Sequence, residues 1–264
     1  MSIITISRGS YSHGRDVAKK LAEKLGYQCV SREILLRASE HFNIPEIKLL
    51  RAVHDPPSVF DRLTYGKERY VAYIRETLMQ YFEKDNVVYH GLAGHLFVQG
   101  VSHALKVRII ADLNDRIVEE IRREGVSAEE AHKTLIKDDE ARRKWSHYLY
   151  GLDSTDPSLY DLIIYIKAIS SDNAVKIIAD TVSLPCFQPT PESCKAMHTL
   201  YLAARVQSGL MSDMPSAKVN VDKGEIVVTT PGTWSDGKQM IAKVDEFIDS
   251  DKEMVGVRVR LTRR

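Results

Sequence analysis

Between Arg8 and Asp16 the chain reads Arg-Gly-Ser-Tyr-Ser-His-Gly-Arg-Asp, with Gly9 and Gly14 separated by four residues and a cation, Arg15, directly after the second glycine. Phosphate oxygens are held by backbone N–H groups pointing inward from a loop that glycine lets turn tightly, assisted by the positive end of the helix that follows. Gly9 and Gly14 have the spacing of such a loop. Arg15 supplies charge and donors where lysine is usual, although its planar fork reaches differently from an ammonium. The Ser or Thr that would help hold magnesium is missing, and Val17 sits where a Thr is frequent. Gly9, Ser10, Ser12, His13, Gly14, Arg15 and Asp16 are therefore candidates for holding a nucleotide's phosphates. A tight βα turn that needs its glycines for geometry alone is the alternative.

A second group of charges lies further on. Arg116, Arg122, Arg123, Lys133, Lys137, Arg142, Arg143 and Lys144 are interleaved with Asp138, Asp139 and Glu140. In phosphoryl transfer a protein mainly positions groups and neutralises the charge spread over the moving phosphoryl. A lid carrying arginines supplies that charge only when substrate is present. Arg116, Arg142 and Arg143 are candidates for this role beside Arg15. The competing expectation is a solvated helix face held by (i, i+4) pairs, Asp138 with Arg142 and Asp139 with Arg143. Arg32 follows the second strand, where an open parallel sheet presents ligand-facing residues, and could hold an acceptor's phosphate. The same stretch also reads as a helix start with Glu33 near its dipole. His90 and Gly91, after the third strand, complete the candidates for substrate contact. No nucleophile-elbow pattern is present. Cys29, Cys186 and Cys194 show no metal-ligand spacing, so no protein metal centre is expected.

These residues need a frame. Ile3–Ser7 reads as a buried strand and Ala18–Leu25 as a helix; further strands are expected at Tyr27–Val30, Asn86–Gly91, Lys106–Ala111 and Leu162–Ile166. A long amphipathic helix is expected from about Thr64 to Tyr81, and one capped by Asn114 or Asp115 running to Arg123. Ser127-Ala128-Glu129-Glu130 opens a charged helix reaching about Tyr150 as a capping box. Alternation of strand and helix argues for a parallel sheet covered on both faces. Pro185, Pro189 and Pro191 then mark a linker. Beyond it, a helix from Ser193 to Leu210, a hairpin turning at Asp222-Lys223-Gly224, a helix from Ser235 to Ile248 and a strand over Val255–Leu261 form a smaller α+β unit. With 264 residues, 44% hydrophobic, 28% charged and a formal charge of +1, the chain has room for two units and no global field for nucleic acid or an anionic membrane. It shows no secretion signal, and no apolar run approaches the roughly 18 residues of a membrane helix. Reduced thiols and a cytoplasmic location are expected.

The chain resembles the cytidylate-kinase-like family of P-loop kinases. Ile4-Thr5-Ile6-Ser7-Arg8 through Gly14-Arg15-Asp16-Val17-Ala18 carries the likeness, followed by Ser31-Arg32-Glu33-Ile34-Leu35, Asp138-Asp139-Glu140-Ala141-Arg142, and Asp156-Pro157-Ser158-Leu159-Tyr160-Asp161-Leu162-Ile163-Ile164. The resemblance covers roughly residues 1–183. It implies an α/β fold with a P-loop kinase-type parallel sheet flanked by helices, ATP with Mg2+, and a nucleoside monophosphate such as CMP as acceptor. Residues 195–264 are similar to a BON-type domain, through Val206-Gln207-Ser208-Gly209-Leu210, Val219–Val228 and Val255-Gly256-Val257. The expected organisation is a kinase-like domain over 1–183, a Pro-rich linker over 184–194 and a BON-like α+β domain over 195–264. The expected partner is a nucleotide or another small phosphorylated substrate, with no nucleic acid and no lipid contact by the C-terminal unit; a homodimer is left open. A catalytically weak nucleotide-binding sensor, regulating through its C-terminal domain, is the alternative to an ATP-dependent kinase.

Overall fold

The computed structural model describes residues 2–10, 12–31, 33–49, 66–91, 93–230, 242–249, 254 and 259–263. Ile3–Arg8 (β1) is rich in β-branched residues and lies at the centre of a five-stranded sheet, buried on both faces, which is why it reads as an uninterrupted apolar run. Its neighbours are Val87–His90 (β3) and Ala104–Ala111 (β4). Gln28–Val30 (β2) and Leu162–Ile166 (β5) form the edges, giving the order β2-β3-β1-β4-β5 with every pairing parallel.

Helices cover both faces. Gly14–Leu25 (α1) buries Val17, Ala18, Leu21 and Ala22, and ends where Gly26 adopts φ 67° and donates back to Ala22 and Glu23. Together with Ser171–Val182 (α7), it shares a core with Ile4, Ile6, Leu105, Val107 and Ile109. The other face carries Ile3, Val87 and Tyr89 in a second core. That core takes in Glu33–Phe42 (α2), Gly66–Phe82 (α3) and Gly94–Phe97 (α4). Leu113–Glu124 (α5) and Ala128–Tyr150 (α6) pack together as a charged pair beyond β4. The cap of α5 is Asp112, whose carboxylate accepts from the Asn114 N–H, so neither Asn114 nor Asp115 caps this helix. The capping box of α6 is formed by Ser127 and Glu130.

The Pro-rich stretch is ordered against the sheet unit. Pro185–Phe187 forms a 3-10 turn, Gln188 donates to the Val182 carbonyl, and Ser2 donates to the Phe187 carbonyl at 2.8 Å. Pro191–Leu210 (α8) follows directly, with Thr190 and Ser193 as its capping box. Ser193 also bonds His103 on the β3–β4 side at 2.8 Å, and α8 lies along α3. Met197, Tyr201 and Ala204 of α8 belong to the same hydrophobic core as Leu78 and Phe82 of α3. Ser208 donates to the buried Glu76 carboxylate of α3. Lys218–Asp222 (β6) and Glu225–Thr230 (β7) form the antiparallel hairpin, and Val259–Arg263 (β8) joins β7 in parallel to complete a three-stranded sheet. Residues 242–249 are helical. The expected helix start at 235 and strand residues 255–258 lie outside the described residues. No helix of the described residues is long and apolar enough to cross a membrane.

Candidate functional site

Strand order reverses around β1, because β2 and β3 lie on one side of it and β4 and β5 on the other. Crevices at such switch points, outside the carboxyl ends of the strands, are where open α/β sheets bind ligands. A cleft of about 710 Å³ opens there. Arg8 and Gly9 line it from β1 and its loop, Ser31 from the end of β2, His90 and Gly91 from β3, and Ala111 from β4. Arg116 and Arg142 close one side; Ile34, Val71, Ile74, Leu96, Phe97 and Trp145 form an apolar wall on another.

The loop is held by its own side chains. Ser12 is buried and its hydroxyl reaches the carbonyls of Gly9 (3.0 Å) and Ile109 (3.2 Å), tying the loop to β4. His13 sits in the left-handed region at φ 63°, ψ 0°, and makes no side-chain cap to α1. Ser10 is where the loop meets the α5–α6 pair. Its hydroxyl donates to Asp138 (2.9 Å) and accepts from Arg142 (2.8 Å), while its carbonyl accepts from Arg116 Nε at 2.7 Å. Arg116, nearly buried, forks onto Asp139 with bonds of 2.8 and 3.0 Å, and Arg142 reaches the same carboxylate at 3.3 Å. The (i, i+4) pairs Asp138–Arg142 and Asp139–Arg143 are thus replaced: Asp139 serves Arg116 and Arg142, and Asp138 serves Ser10. Burial pushes Arg142 below the usual guanidinium value, with Arg116 adding to the effect against the two aspartates.

Each glycine of the site makes room for a neighbouring side chain. A Cβ on Gly9 would meet the Arg116 guanidinium at 3.2 Å, and one on Gly14 would meet the Arg8 stem at 2.7 Å. On Gly91 or Gly94 it would strike the ring of Tyr89. These glycines therefore let the side chains of Arg116, Arg8 and Tyr89 pass close to the backbone. Neither this nor their spacing was visible as a role for Arg8 or Tyr89 in the sequence.

Of the sequence candidates, the structure brings Gly9, Ser12, Arg15, His90, Gly91, Arg116 and Arg142 to the walls of one cleft, with Ser10 beside them. It does not bring Asp16, which pairs with Lys20 at 3.2 Å on the exposed side of α1, nor His13 and Arg143, which are exposed and off the cleft. Arg32 lies outside the described residues; its neighbour Glu33 accepts the Ser31 N–H at 2.9 Å at the start of α2. Sequence reasoning missed Arg8, Arg108 and Tyr160. Arg108 on β4 donates to the Ser154 carbonyl and to Tyr160 (3.2 Å), and Tyr160 also reaches His95 at 3.2 Å. Burial, followed by Arg8 and Arg15, pushes His90 down to about 4. Burial, followed by Arg108 and Lys106, does the same to His95. Both imidazoles are neutral at pH 7.

The loop N–H groups at the head of α1 and the converging arginines suit the phosphates of ATP. Among the described residues no group of three His, Cys, Asp or Glu side chains is placed to hold a metal alone. Magnesium in kinases needs no such cage, since it takes most of its oxygens from substrate phosphates and water. Asp138, which accepts from Ser10 at 2.9 Å and forms no ion pair among the described residues, would be the carboxylate to hold such an ion.

A cleft with a phosphate-type loop, on a sheet of this order, defines a protein built like the P-loop kinases. Residues 3–168 match the model of the Cytidylate kinase-like family, and the chain belongs to that family. It is 30% identical over 187 residues to a cytidylate kinase of Archaeoglobus fulgidus, covering 69% of this chain and 94% of the relative. It is 28% identical over 189 residues to a cytidylate kinase of Saccharolobus islandicus, covering 72% and 95%. Among solved structures, an uncharacterized protein from Eubacterium ventriosum matches with a TM-score of 0.51 at 22% identity, over 69% of this chain and 98% of that one. That likeness bears on the fold.

Proposed function

We propose that the chain is an ATP-dependent kinase that phosphorylates a nucleoside monophosphate, with CMP the first acceptor to test and Mg2+ as the accompanying ion. Family membership supports a nucleoside monophosphate kinase-like activity. The observation that carries the reading is Ser10, at which two arginines from α5 and α6 meet the loop after β1. The loop N–H groups and Arg15 would hold the donor phosphates, and Arg116 and Arg142 would neutralise the charge on the transferred phosphoryl. In-line attack by the acceptor's phosphate oxygen needs no covalent intermediate. Incubating the purified chain with labelled ATP, Mg2+ and each nucleoside monophosphate in turn tests this directly: a labelled diphosphate product is expected with one acceptor.

A second reading has one observation in its favour. Val17, at the place of the missing hydroxyl, is completely buried in the sheet–helix core, so no side chain there can assist magnesium. A nucleotide-binding sensor acting through the C-terminal, BON-like unit would bind ATP or a monophosphate in that assay and yield no product.

A further inference from the structure

Arg8 is the last residue of β1, and its stem crosses Gly14. A Cβ at Gly14 would come within 2.8 Å of Arg8 Cβ and 2.7 Å of its Cδ, so the second glycine of the loop is what lets Arg8 pass beneath it. The guanidinium ends up mostly buried in the cleft, and its Nε has no hydrogen-bond partner. Among the described residues no carboxylate pairs with it. The charges it feels most are those of Arg142 and Arg15, and both are repulsive. Burial and these neighbours bring Arg8 down to about 10, still protonated at neutral pH. Arg116 and Arg142 have Asp139, and Arg108 has Ser154 and Tyr160, whereas Arg15, which also has no carboxylate partner among the described residues, is exposed to solvent. A buried cation without a counter-charge is unfavourable in the empty protein, and it is retained where the missing anion is a ligand.

We propose that Arg8 is an anion-binding residue of the cleft, taking a phosphoryl group of the acceptor between the loop and the end of β3. This assignment rests on the kinase reading above. The acceptor side is indicated by Arg8's surroundings. Tyr89 and His90 close the β3 end, and His90 Nδ1 is a second buried polar atom without a partner there. Asp139 and Ser10 already engage the arginines on the lid side. A guanidinium offers phosphate two parallel N–H bonds, which an ammonium cannot.

The test compares the wild type with Arg8→Met and Arg8→Lys. In thermal melts with inorganic phosphate as probe, the wild type is expected to gain stability. Arg8→Met is expected to melt at the same or a higher temperature without anion and to lose most of the phosphate-induced rise, with Arg8→Lys in between. Arg8→Met melting lower without anion while keeping the full phosphate effect would mean a structural role and overturn the proposal. Gly14→Ala, which displaces the stem and keeps the charge, is expected to weaken phosphate binding as well. In steady-state kinetics, Arg8→Lys is expected to raise KM for CMP on the order of tenfold with KM for ATP unchanged. The reverse pattern would place the anion on the donor and defeat the acceptor assignment. If the wild type turns over no monophosphate, the kinase reading fails while the phosphate melts still decide on Arg8.

Discussion

Asp139 holds Arg116 by two parallel bonds and shares one of its oxygens with Arg142, so a single carboxylate occupies one arginine from each of α5 and α6. A carboxylate gripped by forked guanidinium groups has the geometry of a bound phosphate. In the proposed reaction, engaging the transferred phosphoryl would mean exchanging one anion for another. The balance is finer than for an arginine arriving from solvent, because the cation is already desolvated and aimed.

Arg116→Ala is expected to lower kcat by a factor on the order of 10² to 10³, the range for losing one preorganised charge at a transferring group. Asp139→Ala removes the stand-in anion and leaves a nearly buried guanidinium uncompensated. Asp139 is itself partly exposed, so the expected loss of stability is about 2 kcal/mol, below the range for a fully buried pair. Urea unfolding measures the second effect and steady-state kinetics the first. Equal activity of Arg116→Ala and wild type would remove Arg116 from the chemistry.

Gly9→Ala tests the same arginine from the opposite side. The added methyl would stand 3.2 Å from the Arg116 guanidinium carbon, and that group is fixed by Ser10 and Asp139, so it has little freedom to yield. The expected result is a kcat reduced at least about tenfold with a stability change near 1 kcal/mol. A variant with wild-type turnover would show that the guanidinium's position in the free protein is irrelevant to catalysis.

His90 and His95 make a prediction about acid. Their folded values lie near 4, below the ordinary 6.5 of an unfolded histidine. Between these values the unfolded chain binds more protons, so the stabilisation is fully present above about pH 6.5 and is lost as pH falls towards 4, roughly 3 kcal/mol for each residue. Melting temperatures measured from pH 7 to 5 should fall steadily, and His95→Gln should flatten the slope. An unchanged slope in that variant would mean that His95 takes up its proton as readily in the fold as in the unfolded chain.

Much of the frame was legible because local chemistry and tertiary demand agree. Ile3, Ile4 and Ile6 read as a buried strand because the fold buries both of its faces, and the helix read as running to Arg123 stops at Gly125, in the left-handed conformation that glycine adopts freely. The site was legible only in part. The Asp139–Arg116 fork joins residues 23 positions apart on two helices, so a rule built on helical spacing assigned Asp139 to Arg143 instead. Arg8 was passed over because its significance lies in what surrounds it, namely Gly14 beneath its stem and the lack of an acid, and neither follows from residue type. Asp16 looked like part of the loop, but Lys20 and the helix geometry turn it outward. The Pro-rich stretch read as a linker or a stiff connection, and the single hydrogen bonds of Ser2 and Gln188 that hold it are not revealed by composition.

His13 offers the last prediction, one in which the protein improves. At φ 63° and ψ 0° it holds a conformation that costs a residue with a Cβ roughly 1 kcal/mol, and its exposed ring makes no cap to α1 that would offset the strain. The conformation is set by the loop, since Ser12 is bonded to Gly9 and Ile109 on one side and Gly14 lies close against the Arg8 stem on the other. His13→Gly removes the strain and gives back part of the gain through the greater freedom of glycine in the unfolded chain. The expected net effect is a stabilisation of a few tenths to about 1 kcal/mol, a rise in melting temperature of roughly 1 to 4 °C. His13→Val places a β-branched side chain in the same region and is expected to cost more than about 1 kcal/mol. KM for ATP is expected to stay the same in His13→Gly, because the backbone N–H groups of the loop persist and the ring lies off the cleft. A large rise in that KM would show instead that the imidazole itself touches the donor.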